Sequence, residues 1–129
     1  MANRYGEAAL KAAQQGPSGD VSPIARWESA MQSLYPTSST ARKKSCPRGA
    51  FLGLCEEGLV IGVPAGAYKA SRENKAYAVR AVTLLTEGTE HRSTTALWKA
   101  VTNGAEKTHD SQMDVVLALW NNDLILGKY

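Results

Sequence analysis

The chain has 129 residues, enough for one domain with one core, and its 43% hydrophobic and 21% charged residues separate it from disordered sequences. No apolar run approaches the roughly 18 residues that a bilayer-spanning helix needs, so a helical membrane protein is excluded. The formal net charge of +3 is mild, so any strong electrostatic character has to come from local clustering.

Helical periodicity runs through most of the chain. Tyr5, Ala8, Ala9, Ala12 and Ala13 recur on one face of a first helix, and Gly16-Pro17 ends it. Ser22-Pro23 reads as a cap followed by proline in the first turn. Ile24, Trp27, Ala30, Met31 and Leu34 then form one apolar stripe up to Tyr35-Pro36. Thr37 to Ser45 is polar and basic, and fits a short helix as well as a loop. Cys46-Pro47 reads as a further helix start, with cysteine in the cap position. Ala50, Phe51, Leu54 and Cys55 share a face of that helix, and Gly58 stops it.

Leu59 to Pro64 is short, apolar, β-branched and interrupted by glycine, which predicts a buried extended connector. Ser71 caps the clearest helix, with Tyr77, Ala78, Ala81, Val82, Leu84 and Leu85 inward, Arg72, Lys75, Arg80 and Thr83 outward, and Gly88 at its end. Ser93 caps a shorter helix carrying Leu97, Trp98 and Val101, ended by Asn103-Gly104. Ser111 to Asp114 resembles a capping box ahead of Val115, Val116, Leu117, Leu119 and Trp120. That last helix is apolar around more than half its circumference, which places it in the middle of a bundle or in a homodimer seam. The expected fold is a single all-α domain over residues 1–129: a compact bundle of five to seven helices with one short extended connector and no internal repeat.

Charge is unevenly spread. No acidic residue occurs between Ser29 and Cys55, whereas Arg42, Lys43, Lys44 and Arg48 lie within seven positions. Such a face attracts phosphate backbones, nucleotides or an acidic partner, and a solvated loop is the plain reading of the same residues. Cys46, at a helix start beside Lys44 and Arg48, has the setting that favours a thiolate. A nucleophilic cysteine also needs a base, for which His109 with Asp110 or Asp114 are the candidates. Cys46 and Cys55 are nine positions apart, about 13.5 Å along one helix, too far for a disulfide. Neither histidine has metal-ligand spacing with the cysteines, so no metal and no cofactor are expected. The two cysteines and an N-terminal stretch without a signal-peptide profile predict a cytoplasmic protein.

The run Cys46 to Val60, together with Thr108 to Val116, resembles an uncharacterised family of small bacterial proteins, some of them carried on mobile gene cassettes. The resemblance implies a bacterial cytoplasmic protein and transfers no activity and no functional residue. Two functions remain in view. One is a non-enzymatic binding module whose basic face, Arg42, Lys43, Lys44 and Arg48, takes nucleic acid or an acidic protein. The other is a small-molecule pocket or enzyme centred on Cys46 with His109 and Asp114. The first is preferred because it requires only a surface.

Overall fold

The computed structural model describes residues 4–14, 22–87, 93–103 and 111–126. Among them are seven helices: α1 (Arg4–Ala13), α2 (Pro23–Leu34), α3 (Ser39–Arg42), α4 (Ser45–Glu56), α5 (Arg72–Thr86), α6 (Thr94–Val101) and α7 (Gln112–Asn121). The protein is an all-α bundle. Serine side chains set the starts of four of these helices. The Oγ atoms of Ser22, Ser38, Ser71 and Ser93 accept the backbone N–H three residues on, satisfying an amide that the helix itself leaves unbonded. The undecided Thr37–Ser45 stretch therefore contains a short helix, α3.

The core is built by α1, α4 and α7. The face of α1 is alanine-rich, and it packs closely against α2 and α7. Trp27 of α2 stacks on Phe51 of α4 with ring centroids 5.3 Å apart, and Tyr77 of α5 meets Trp98 of α6 edge-on at 4.8 Å. Residues Gly49 to Cys55 are all buried, so α4 is enclosed on every side and not only on the Phe51–Cys55 face. Helix α7 is likewise buried from Gln112 to Trp120 apart from Asp114. Its packing against α1, α4, α5 and α6 places it inside the bundle.

Two helices end in the same way. After α4, Gly58 takes φ +70°, its N–H bonds Cys55 O, and the Leu59 N–H bonds Leu54 O. After α7, Asp123 takes φ +59°, its N–H bonds Trp120 O, and the Leu124 N–H bonds Leu119 O. Both are Schellman turns, and each is followed by a short segment with one β-bridge residue. Those residues pair antiparallel at Val60 and Ile125, flanked by hydrogen bonds from Ile61 N to Leu124 O and from Leu126 N to Leu59 O. The same helix-end turn thus occurs twice, and the segments that follow meet in one isolated bridge. The connector is also not wholly buried: Val60 and Val63 are buried while Ile61 is 42% exposed, because the chain turns after Val60, with the Val63 N–H bonding Val60 O.

Two sequence expectations shift in detail. Helix α4 begins at Ser45 with Lys44 at its N-cap, so Cys46 lies inside the first turn and Pro47 sits third, where its missing N–H costs nothing. Ser111 does precede α7, but in the left-handed region (φ +67°), and its side chain makes no capping bond, so no capping box forms. The helix stops assigned to Gly16-Pro17, Gly88 and Gly104 lie outside the described residues.

Candidate anion-binding face

Helices α4, α5 and α7 run in the same direction. Near their starts, Gly49 of α4 lets α5 approach so closely that an added Cβ would fall 2.9 Å from Asn74 Cβ and 3.1 Å from Ser71 Cβ. The Asn74 side-chain oxygen accepts a 3.1 Å hydrogen bond from Gln112 Nε2 on α7, and Asn74 Nδ2 donates to Ser71 Oγ at 3.2 Å. At the other end, Leu59, Val82 and Leu126, from just beyond α4, late in α5 and just beyond α7, line one surface trough. Three positive dipole ends therefore point to one end of the bundle. At the starts of α4 and α7 the N-cap residues, Lys44 and Ser111, make no capping bond with their own side chains.

The basic cluster lies at this end. Lys43 and Lys44 form the two-residue hinge between α3 and α4, both exposed, and Arg48 is in the first turn and a half of α4. Arg72, the first residue of α5, lies instead on a trough that it lines with Glu57 and Lys75. Arg42 has a different job: its Nη1 donates to Tyr35 O at 2.9 Å and Pro36 O at 3.0 Å, tying α3 to the turn that follows α2. Two acidic residues lie in the first turns of α5 and α7: Glu73, which accepts from Tyr77 Oη at 2.8 Å, and Asp114.

Of the residues considered for covalent chemistry, Cys46 is half-buried and Asp114 half-buried, in the first turns of α4 and α7 and so at the same end. His109 and Asp110 lie outside the described residues. Both thiols are free. Cys55 is enclosed in the core, and burial pushes its thiol up to about 12, with the buried Arg26 cation pulling weakly the other way. It is packing, not a nucleophile. No group of three or more His, Cys, Asp or Glu side chains among the described residues could hold a metal ion.

Several residues that matter carried no sequence signal. Glu56 ends α4 and folds the following connector onto it: one carboxylate oxygen accepts the Tyr68 N–H at 2.8 Å and the Ala70 N–H at 3.2 Å, and the other accepts Lys75 Nζ at 3.0 Å. Lys69, between the two amides, is left-handed (φ +59°), which turns both N–H groups toward one oxygen, a backbone nest filled by the protein's own anion. The Tyr68 amide chiefly holds the Glu56 carboxyl below its ordinary pKa, and the Glu56 bond raises that of Lys75. Gly49 and Gly53, by contrast, form a Gly-x-x-x-Gly pair that is visible in the sequence once a close helix neighbour is known.

A family model matches residues 2–126 of the chain. The chain belongs to a family of unknown function, DUF6979. No curated protein and no solved structure matches it. Membership therefore covers nearly the whole chain and leaves its chemistry to be argued from the site.

Proposed function

We propose that this DUF6979 protein is a small non-enzymatic binding module that holds an anionic partner, nucleic acid first and an acidic protein second, on the face of Lys43, Lys44 and Arg48, with Arg42 as its strut. One observation carries the reading: the parallel starts of α4, α5 and α7 direct their amides and dipoles to the end where the Lys43–Lys44 hinge projects. Helix starts favour anions, and exposed lysines add long-range attraction. The readout is of phosphate or carboxylate charge and not of sequence, since no helix of this face is presented as a recognition helix: 15 residues, 57–71, separate α4 from α5. We further place the protein in a bacterial cytoplasm, with carriage on mobile cassettes. The two free thiols support the reducing setting, and the bacterial origin rests on the family resemblance.

The test is fluorescence anisotropy with labelled single- and double-stranded DNA and RNA at low and physiological salt. Wild type binds with affinity that falls steeply with salt, and Lys43→Glu/Lys44→Glu weakens it by at least about tenfold. Absence of binding at low salt, or binding indifferent to the variant, overturns the nucleic-acid reading. The same variant series against an acidic protein then decides the second class.

A further inference from the structure

The outer face of α5 carries a straight ridge: Arg72, Ala76, Val79 with Arg80, Thr83 and Glu87, at spacings of three and four that return to one side of a helix. All are exposed except the half-buried Val79. Beside the ridge runs an open trough in two parts, about 530 and 480 Å³ in volume, that share Glu57, Val79 and Thr83. Its far part is walled by Leu126, which at 58% exposure is the most exposed large hydrophobic residue among those described. A ridge, a trough and an exposed leucine side by side form a surface fit for covering.

We propose that a second copy of this chain covers it, the two α5 helices lying antiparallel about a two-fold axis that passes between Val79 and Arg80. The ridge is self-complementary about that point. Arg72 at one end meets Glu87 of the second copy at the other, and symmetry makes the contact twice. Ala76 meets Thr83 of the second copy, also twice, so small side chains flank the crossing point on both sides. Among the described residues, neither Arg72 nor Glu87 makes an ion pair within its own chain. The cations nearest the axis are drawn aside: Arg80 Nη2 bonds Asn103 Oδ1 at 3.3 Å, and Lys75 Nζ is held by Glu56 and Glu57 at 3.0 and 3.4 Å. A parallel arrangement would set Arg72 against Arg72, so charge selects the antiparallel one. Lys43, Lys44 and Arg48 lie off the ridge, so anion binding and assembly use different residues.

Sedimentation equilibrium of the full chain at physiological salt, over about 1–200 µM, tests the proposal. The expected result is a monomer–dimer equilibrium within that range. Arg72→Glu and Glu87→Arg each weaken it at least about tenfold, and the doubly reversed chain recovers to within about threefold of wild type. Thr83→Glu, at an exposed position that leaves the core untouched, abolishes the dimer. Three results overturn the proposal: a monomer throughout, which gives the trough to a different occupant; a dimer that ignores the single reversals; or a double reversal that fails to restore association.

Discussion

Gly53 of α4 lies against the backbone of Lys75 on α5: an added Cβ would fall 2.6 Å from Lys75 Cα. Gly49, one turn earlier, meets Asn74 Cβ at 2.9 Å. These two contacts set the separation of the most extensively packed helix pair in the protein. They also bring Glu56 within reach of Lys75 and Asn74 within reach of Gln112.

Gly53→Ala therefore pits two effects against each other. Helix propensity favours alanine by about 1 kcal/mol. The clash is with backbone and cannot be relieved by a rotamer change, and overpacking of this kind costs about 1–3 kcal/mol. The steric effect is expected to win, so urea unfolding should show a lower midpoint at unchanged slope. Gly49→Ala, which meets a side-chain carbon first, should cost less. A stabilised Gly53→Ala protein would mean that α4 and α5 are not this close.

Much of the fold was legible in the chain because it is written locally. Ser22, Ser71 and Ser93 cap the helices assigned to them, and Trp27, Phe51, Leu97 and Val116 sit in the core on the stripes that placed them there. The start of α4 shifted because proline is tolerated anywhere in a first turn, so Cys46-Pro47 bounds the start without fixing it. The turns at Gly58 and Asp123 are equivalent in backbone, yet only the glycine advertises its left-handed conformation. Of the candidate site, the cluster of Lys43, Lys44 and Arg48 was visible as a run of charge. The common direction of α4, α5 and α7 depends on contacts far apart in sequence, 38 positions for Asn74 and Gln112, and no local pattern encodes it.

The two thiols should differ sharply toward a water-soluble disulfide reagent. Cys46 is half-buried in the first turn of α4, whereas Cys55 is enclosed and its thiol is held in the protonated form up to about 12. Native protein at neutral pH should release one equivalent of chromophore promptly, and Cys46→Ser should remove it. The second equivalent should appear only at the rate of unfolding. Two prompt equivalents would mean that α4 is not the enclosed core helix. A prompt phase far faster than that of a free thiol would favour the chemistry centred on Cys46, His109 and Asp114 over a plain binding module.

Glu56 makes stability depend on acid in a stated direction. Its folded-state pKa is depressed below the unfolded value near 4.3, so its contribution is fully present above that pH and is lost as pH falls through the folded value. The side chain is 13% exposed and accepts two backbone amides, so its removal leaves those amides without their acceptor, at a cost of about 1–3 kcal/mol. Glu56→Gln keeps the size and loses the charge. Its unfolding midpoint in urea should fall below wild type at pH 7, and the gap should close as both proteins are taken below about pH 4. Lys75 works at the opposite end: its raised pKa gives stability that is present below about pH 10 and lost as pH rises through the folded value, and Glu56→Gln should flatten that alkaline limb as well. A gap of constant size from pH 3 to pH 7 would show that the carboxylate charge does not hold the connector to α4.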